Sequence, residues 1–177
     1  MAKNEEIIRG VYSENIVIAP SSDLARELYD KSRLGEPFQK DKFQYALVEA
    51  LYLIERGKMI VIDGRNKEIS FDQFTKKAKK TQPKFFTRYA VYKDMRNRGY
   101  IVKTALKFGA DYRVYDRGVK PGEDHAKWIL YPVSESEAET WYNFSAKNRV
   151  AHSTRKRLLI GIVDAESDVT YYSVAWT

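Results

Sequence analysis

Residues 85–100 have the sequence FFTRYAVYKDMRNRGY, and this stretch indicates the fold class. Its apolar residues recur every three or four positions, the spacing of one helix face: Phe85, Tyr89, Tyr92 and Met95. Gly99 marks the end of the predicted helix. Strands are predicted next at 100–104, 112–115 and 127–133, then a helix over 135–147 with Ser134 as N-cap, then strands at 158–164 and 169–176. This order predicts an α/β (α+β) unit with a central mixed sheet flanked by helices.

The residues before Gln82-Pro83 predict a second, smaller α/β unit. A strand at 16–18 precedes a helix over 21–32, which Ser21 or Ser22 can cap. FQYALVEALYLIERGK at 43–58 gives the strongest helical pattern of the chain, with Gly57 as its stop. A strand at 59–62 and a helix over 69–80 complete the unit. We therefore expect two domains, a small N-terminal one over 1–82 and a C-terminal one over 83–177.

Composition excludes several kinds of chemistry. The 177 residues include no cysteine, which rules out disulfides, thiolate zinc sites, iron–sulfur clusters and a cysteine nucleophile. Two histidines cannot form a three-histidine metal site. No apolar run approaches the roughly 18 residues of a membrane span, and MAKNEEIIRG at the N-terminus lacks the apolar core of a secretory signal. We expect a soluble, cytoplasmic protein without a metal or cofactor and without a membrane partner.

The net charge of +7 favours a polyanionic partner, although a solvated basic surface explains it equally well. The excess lies mainly after residue 82, where 16 basic residues stand against 11 acidic ones. Exposed aromatic side chains beside cations suit stacking on RNA bases, and the chain has 13 tyrosines. His152, in the basic stretch NRVAHSTRKR, is expected to meet phosphate or solvent.

Three residues next to predicted strands could carry proton transfer or charge stabilisation. Tyr115 ends the strand in DYRVYDRG, where alternation places Arg113, Tyr115 and Arg117 on one face. His125 follows a Pro-Gly turn and directly precedes a strand. Lys156 is the middle of three consecutive cations in STRKRLLIGIV. Each residue alone has an ordinary structural explanation: a strand tyrosine, a histidine bonded within its loop, and a solvated turn.

Tyrosine, histidine and lysine together suit the cleavage of RNA without a metal. A base removes the proton of a 2′-hydroxyl, which attacks the adjacent phosphate, and an acid protonates the leaving 5′-oxygen. A cation stabilises the charge that develops on the pentacoordinate phosphorus. A phenol is a weak base at neutral pH, but nearby cations favour its ionised form. Because DNA lacks the 2′-hydroxyl, this chemistry selects RNA.

Three blocks of the C-terminal half carry a family resemblance: YAVYKDMRNRGYIVKTALKFGADYRVYDRG at 89–118, GEDHAKWILYPV at 122–133 and NRVAHSTRKRLLIGIVD at 148–164. They resemble the catalytic domain of the tRNA-splicing endonucleases. LVEALYLIERGKMIV at 47–61 resembles the smaller domain of the same family. The whole chain is similar to the archaeal, homotetrameric tRNA-intron endonucleases. The resemblance implies a restriction-endonuclease-like fold for residues 83–177 and a structural or assembly role for residues 1–82.

The resemblance also implies a role for each candidate residue. It assigns Tyr115 as the general base on the 2′-hydroxyl, His125 as the general acid and Lys156 as the electrostatic stabiliser, with a 2′,3′-cyclic phosphate and a 5′-hydroxyl as product ends. The implied substrate is precursor tRNA with a bulge–helix–bulge at the exon–intron junctions. The candidate contacts to this RNA are Arg113, Arg117 and Arg149, the last by cation–π stacking on a bulged base.

Self-association follows from the same resemblance. The substrate has two scissile bonds and the chain one triad, so at least two subunits are needed. VTYYSVAWT at 169–177 is an alternating strand whose free edge would pair with another copy, which makes Tyr171 and Trp176 candidate interface residues. In this family an acidic loop at this point docks into a basic cleft of a neighbour, a role that falls on Asp164, Glu166 and Asp168. An ordinary acidic hairpin turn is the alternative.

Two other functions stay open at this stage. A metal-dependent nuclease would use carboxylates and a lysine around Mg²⁺, and such residues occur at Asp111, Asp116, Glu123, Asp124 and Lys127. However, no Asp/Glu-x-Lys tripeptide follows an acidic strand end in this region. A non-catalytic subunit that binds RNA or completes an assembly is the second alternative, and the presence of all three triad residues argues against it.

Overall fold

A computed structural model describes residues 6–106 and 109–177 of the chain. The first five residues, and Lys107 and Phe108 within the block 89–118, lie outside the described residues. The chain divides into two compact units, Met1–Phe86 and Thr87–Thr177. Among the described residues each unit contains one five-stranded mixed sheet, so the predicted α/β class, with a mixed sheet in the C-terminal unit, is confirmed.

From residue 6 onward, the N-terminal unit forms five strands and three helices. In chain order these are β1 (Ile8–Ser13), β2 (Ile16–Pro20), α1 (Asp23–Ser32), β3 (Glu36–Pro37), β4 (Lys42–Ala46), α2 (Leu47–Glu55), β5 (Met59–Ile62) and α3 (Phe71–Thr81). The sheet order is β3-β4-β2-β1-β5, and only the β1–β5 pair is parallel. Helix α1 begins after Ser22, whose hydroxyl accepts the Ala25 N–H, as its sequence predicts.

One prediction for this unit is wrong. The helical pattern over 43–58 begins with a strand, because Phe43 and Tyr45 alternate into the core and β4 pairs along its length with β2. The helix starts only at Leu47, where the buried carboxylate of Glu49 accepts the Ala46 N–H at 3.0 Å. Strands β1 and β3 were not predicted.

The described residues of the C-terminal unit form five strands and two helices, the first of which begins two residues before Thr87. These are α4 (Phe85–Asn97), β6 (Ile101–Thr104), β7 (Tyr112–Tyr115), β8 (Trp128–Ser134), α5 (Trp141–Ser153), β9 (Arg157–Val163) and β10 (Val169–Val174). The sheet order is β10-β9-β8-β7-β6. β8 and β9 run parallel and the other neighbours antiparallel, as a mixed sheet requires.

Helices α4 and α5 cover opposite faces of this sheet. On one face, Tyr112 packs against Tyr92 of α4 and donates its hydroxyl to the Arg88 carbonyl at 2.9 Å. On the other face, Ala151 of α5 joins a buried cluster with Ile129 and Leu158. Because neighbouring residues of a strand point to opposite faces, the alternation along β7, β8 and β9 fixes which helix each side chain meets.

The predicted start of α5 is also wrong. Ser134 is the last residue of β8, paired with Val163, and its hydroxyl lies 3.0 Å from that of Ser136. The helix begins six residues later, where the Thr140 hydroxyl accepts the Asn143 N–H. Sheet pairing therefore continues through the residue that local sequence marks as a helix cap, and α5 extends to Ser153 instead of ending at Lys147.

Candidate active site

One cavity of the C-terminal unit, about 390 Å³ in volume, brings together three of the predicted residues. Tyr115, His125 and Lys156 all line it, although 41 positions separate the first from the last. Arg113 lines the same cavity, together with the carboxylate-bearing Glu123 and Asp124. The cavity lies on the face of the sheet that α5 covers, because Ile129 forms part of both its wall and the α5 cluster.

Tyr115 is held rigidly at the end of β7. It pairs with Ile101 of β6, and its side chain is 5% exposed. Ile101 and Ala126 form a small buried cluster with it, against which Val119 packs. A ring packed in this way has little freedom to change its orientation.

His125 lies on the loop between β7 and β8, and its side chain is exposed. Two tight turns shape this loop, with left-handed backbone at Gly118 (φ +78°) and Gly122 (φ +93°). The Glu123 N–H donates to the Lys120 carbonyl, and the Lys120 N–H donates to the Glu123 carboxylate. The His125 N–H donates to the Asp124 carboxylate at 2.7 Å, so the main chain of the histidine is anchored while its imidazole stays accessible.

Lys127 ties this loop to the sheet on both sides. Its N–H donates to the Val114 carbonyl of β7, and its carbonyl accepts the N–H of Arg157 at the start of β9. Its ammonium pairs with Asp116 at 3.2 Å. The hydrogen bond from Lys127, with a further one from the Arg117 N–H, holds the pKa of Asp116 below its usual value.

Lys156 is positioned by the way α5 ends. Arg155 adopts left-handed backbone (φ +55°), and its N–H donates to the His152 carbonyl. The Lys156 N–H then donates to the Ala151 carbonyl at 2.8 Å. These two bonds form a Schellman motif, which turns the chain from helix into β9. The Lys156 ammonium donates to the Thr154 carbonyl at 3.1 Å and remains half-buried in the cavity wall.

The three arginines predicted to contact substrate occupy different places. Arg113 lines the cavity beside Tyr115. Arg117 does not continue the alternation of β7, because the strand ends at Tyr115. The Arg117 guanidinium lies 4.7 Å from the centre of the Tyr100 ring and donates a hydrogen bond to the Arg98 carbonyl. Arg149 is exposed on α5, at a position that does not line this cavity.

The predicted interface residues lie around the β9–β10 hairpin. The Asp164 carboxylate accepts the N–H groups of Glu166 and Asp168, both at 2.9 Å, so it holds the turn together while the other two carboxylates are exposed. Tyr171 donates its hydroxyl to Asp94 at 2.8 Å within the chain. Trp176 lies against His152, with ring centres 4.2 Å apart.

Several wall residues of the cavity were not predicted as part of a site. Gly122, Ala126 and Thr154 are among them. Two of these carry a sequence signal, because Gly122 and Ala126 lie with His125 in the block 122–133. Thr154 carries no such signal, because it directly follows the end of α5. The local pattern predicts that end at Lys147, six residues before the observed end at Ser153.

The carboxylates considered for a metal site are engaged in part with cations. Asp111 pairs with Arg88 at 2.8 Å, and Asp116 pairs with Lys127. Over residues 6–106 and 109–177, no three histidine, aspartate or glutamate side chains converge as a metal site would require. Within the same residues, no helix combines the length and the apolar character needed to cross a membrane.

Comparison with known proteins gives the class of protein that has this fold and cavity. Residues 85–171 match the tRNA intron endonuclease, catalytic C-terminal domain, and residues 8–75 match the tRNA intron endonuclease, N-terminal domain. The first match contains Tyr115, His125 and Lys156. The predicted class, an RNA endonuclease with a catalytic C-terminal domain, is thus confirmed.

Individual relatives support the same assignment over nearly the whole chain. The tRNA-splicing endonuclease of Methanothermobacter thermautotrophicus is 38% identical over 169 residues, which cover 96% of this chain and 97% of the relative. That of Nanoarchaeum equitans is 45% identical over 77% of this chain and 90% of its own, and that of Thermococcus onnurineus 42% identical over 85% of both. The chain belongs to the tRNA intron endonuclease family.

Proposed function

We propose that the protein excises introns from precursor tRNA by cutting both splice sites of a bulge–helix–bulge, without a metal ion. The observation that carries this proposal is the meeting of Tyr115, His125 and Lys156 in one cavity. These residues come from a strand end, a loop and a helix end, so their convergence is a property of the fold and not of one local motif. The names of the relatives, tRNA-splicing endonucleases, supply the substrate class.

The proposed reaction is an intramolecular transesterification. Tyr115 accepts the proton of the 2′-hydroxyl as this oxygen forms a bond to phosphorus, and the bond from phosphorus to the 5′-oxygen breaks. His125 donates a proton to the leaving oxygen, which an imidazolium can do near neutral pH. Lys156 stabilises the added negative charge on the phosphoryl oxygens. The products are a 2′,3′-cyclic phosphate and a 5′-hydroxyl.

The division of roles agrees with how each side chain is held. The general acid must reach a leaving group that moves away, and His125 is exposed on a loop whose main chain is anchored. Lys156 must stay close to the phosphorus, and the Schellman turn fixes its backbone. Tyr115 must be aligned with a single oxygen, and it is packed in a buried cluster with Ile101 and Ala126.

Substrate contacts are proposed at Arg113, Arg117 and Arg149. Arg113 lines the cavity, and this position supports a contact with the scissile phosphate or its neighbour. Arg117 and Arg149 are exposed outside this cavity, so they would contact parts of the RNA farther from the cut. An arginine above a bulged base adds a cation–π contact, which is the role proposed for Arg149.

Two cuts in one substrate require two active sites, so we propose that the protein self-associates, as a homotetramer. Strand β10 pairs with β9 on one side, and its other edge offers main-chain groups to a second copy. The exposed Glu166 and Asp168 would dock with a basic surface of a neighbour, while Asp164 shapes the turn that presents them. Tyr171 and Trp176 remain predicted members of this interface.

The first experiment is incubation of the purified protein with 5′-labelled precursor tRNA that carries a bulge–helix–bulge, in the presence of EDTA. Two defined cuts with cyclic phosphate ends are expected. Cleavage that appears only after Mg²⁺ is added would favour a metal-dependent nuclease instead. Cleavage that appears only with a second protein would favour the RNA-binding or assembly subunit. Substitution of 2′-deoxynucleotides at both scissile positions is the control, because it removes the nucleophile and must abolish both cuts.

A further inference from the structure

One stretch of the chain carries only positive charge. Between Asp72 and Asp94 lie 21 residues without an aspartate or glutamate. The chain has 24 acidic residues among 177, so a stretch of this length would contain about three on average. Five lysines lie close together in its first half: Lys76, Lys77, Lys79, Lys80 and Lys84. The proposed catalysis uses none of them.

Helix α3 presents most of these lysines on its outer face. Phe74 and Ala78 are buried and define the inner face of the helix. With 3.6 residues per turn, the opposite face holds four exposed lysines: Lys76, Lys77, Lys79 and Lys80. Side chains three and four positions apart are neighbours, so Lys76 lies beside both Lys79 and Lys80. Like charges at this spacing repel each other, and a bound polyanion would relieve that repulsion.

Two of these ammonium groups lie against aromatic rings. The Lys77 Nζ is 4.8 Å from the centre of the Tyr12 ring, and the Lys79 Nζ is 5.8 Å from the centre of the Phe86 ring. A cation–π contact orders a lysine side chain but does not cancel its charge. The helix thus holds cations in place without neutralising them.

Carboxylates leave this face largely uncompensated. Over residues 6–106 and 109–177, no carboxylate lies within ion-pair distance of Lys76, Lys79 or Lys80. Lys77 differs, because its charge also acts on the Asp63 carboxylate. The helix dipole favours cations in the last turn, which holds Lys79 and Lys80, but it adds no counterion. Three uncompensated ammonium groups side by side are complementary to a row of phosphates.

The character of this face favours the backbone of a nucleic acid over its bases. It offers four ammonium groups beside one partly exposed ring, Phe86, so charge exceeds the area available for stacking. Lysine contacts phosphate as a point charge and does not read sequence. Each contact releases more counterions on a double helix than on a single strand. The face belongs to the N-terminal unit and shares no residue with the catalytic cavity.

We propose that Lys76, Lys79 and Lys80, here called the lysine surface, bind the phosphates of a double-helical arm of the precursor tRNA outside the cleavage motif. The proposal rests on the function proposed above and gives the N-terminal unit a part in substrate binding. The family resemblance, in contrast, implies a structural or assembly role for this unit. A different occupant, the turn of a neighbouring copy that carries Glu166 and Asp168, predicts other results in the same experiment.

The test compares two RNAs that share one bulge–helix–bulge, a precursor tRNA and a minimal RNA without the tRNA arms. Both carry 2′-deoxynucleotides at the scissile positions, so that fluorescence anisotropy measures Kd without cleavage. The triple variant Lys76→Gln/Lys79→Gln/Lys80→Gln should raise the Kd for the precursor about tenfold and that for the minimal RNA by less than about twofold. Loss of three contacts should also reduce the slope of log Kd against log salt for the precursor by roughly 2–3.

A control variant removes the same charge elsewhere in the N-terminal unit. Lys31→Gln/Lys40→Gln/Lys42→Gln changes three exposed lysines, of which Lys31 ends α1 and pairs with Glu27 at 2.6 Å. Both Kd values should stay close to wild type in this control. Glutamine and lysine have similar helix propensities, so the thermal midpoint of the lysine-surface variant should also be retained. Its single-turnover cleavage at saturating protein should match wild type, because no residue of the catalytic cavity is changed.

Three results would overturn the lysine surface as an RNA site. One is an unchanged Kd for the precursor in the lysine-surface variant. Another is an equal rise of Kd in the control variant, which would show that only net charge matters. The third is a smaller assembly in sedimentation velocity, shared with Glu166→Gln/Asp168→Asn, at unchanged RNA affinity per assembled particle. That result would assign the lysine surface to the acidic turn of a neighbouring copy.

Failure of the proposed function gives a separate result. Wild-type protein that binds the precursor but does not cut the normal RNA in EDTA would reject the proposed function. A rise of Kd confined to the lysine-surface variant would, even then, support RNA binding by α3. Wild-type protein that binds neither RNA would overturn both proposals.

Discussion

The two units are built from the same parts but treat their polar groups differently. In the N-terminal unit the buried carboxylate of Glu49 accepts hydrogen bonds from the main-chain N–H groups of Ala46 and Gly35. A charged side chain there satisfies the backbone. In the C-terminal unit Tyr115, His125 and Lys156 leave their functional groups on the wall of an open cavity. The same mixed-sheet architecture thus serves packing in one unit and, in the proposed function, chemistry in the other.

The difference lies in how strand and helix ends are completed. Where a side chain satisfies the main chain, as Glu49 does at the start of α2, that side chain is no longer available for chemistry. Where main-chain bonds complete the end, as in the Schellman turn after α5, the Lys156 ammonium donates one hydrogen bond to the Thr154 carbonyl and has further N–H donors for a ligand. Substitutions in the two units should therefore separate stability from activity.

The largest effects are expected in the catalytic cavity. His125→Ala should lower the cleavage rate by about 10²–10⁴-fold, because it removes the proposed general acid, and Lys156→Ala by about 10²–10³-fold. Tyr115→Phe should also slow cleavage, since it removes the hydroxyl alone. Single-turnover rates are the measurement, and thermal midpoints should change little for the exposed His125.

Lys40→Ala, on an exposed turn, is the control for loss of a positive charge. Wild-type rates in all three catalytic variants would refute the site.

The next largest effect should be on stability, in the N-terminal unit. A Cβ at Gly35 would lie 2.6 Å from Cε1 of the Tyr45 ring, and the backbone there is left-handed (φ +74°). Gly35→Ala should cost about 2–4 kcal/mol, from overpacking together with backbone strain.

Gly57→Ala is the matched control for this change. It has a similar backbone angle (φ +67°) but no atom within 4 Å of the added carbon, so only about 1 kcal/mol is expected from strain. Urea unfolding followed by circular dichroism measures both. Equal losses for the two variants would mean that the Tyr45 ring moves aside without cost.

A smaller difference is expected between two buried tyrosine hydroxyls. Tyr171→Phe removes the hydrogen bond to Asp94 in the C-terminal unit and should cost about 1 kcal/mol. The Tyr45 hydroxyl, in the N-terminal unit, has no hydrogen-bond partner among the described residues, so Tyr45→Phe should be neutral or stabilising.

The pH dependence of the Tyr171 contribution has a definite sign. Burial, assisted by the Asp94 carboxylate, raises the pKa of Tyr171 above its ordinary value near 10. A raised pKa in the folded state gives stability that is complete below pH 10 or so and is lost as the pH rises further. Wild type should therefore lose stability above that pH more steeply than Tyr171→Phe. Parallel curves for the two proteins would contradict this account.

The smallest effect concerns two aspartates whose pKa values are lowered for different reasons. Asp63, in the N-terminal unit, accepts main-chain N–H groups of Lys67 and Arg65, whereas Asp116 is paired with the Lys127 ammonium. Salt screens the exposed ion pair more than the main-chain bonds. In a carboxyl NMR titration at low and high salt, the pKa of Asp116 should rise more than that of Asp63. Equal responses would mean that main-chain bonds dominate at both sites.

Local sequence patterns correctly predicted those elements for which the tertiary contacts favour the same conformation as the local signal. β7 was predicted with the observed bounds, and Gly99 ends the helical stretch with left-handed backbone. The predictions failed where sheet pairing competes with a helical signal. Phe43 and Tyr45 have helical spacing with later apolar residues, but pairing with β2 holds them in a strand.

The candidate site depended on a different kind of information. Position alone left Tyr115, His125 and Lys156 with ordinary structural explanations, and the family blocks singled them out. A second cavity, of about 670 Å³, has Lys156 in its wall and is lined by the end of α5, the start of β9 and the residues after β10. It could not be predicted, because these segments are distant in sequence. Such proximity follows from the antiparallel pairing of β9 with β10, which no local pattern of Trp176 or His152 contains.

The shared position of Lys156 has a consequence for turnover. One ammonium lines both cavities, so in the proposed reaction the charge that would stabilise the transition state would also attract the cyclic phosphate product. Product release would then limit the steady-state rate at low salt. Moderate salt should raise multiple-turnover rates by speeding release, while single-turnover rates measured below saturation only fall as binding weakens. In such an enzyme, a higher affinity for RNA lowers the turnover rate.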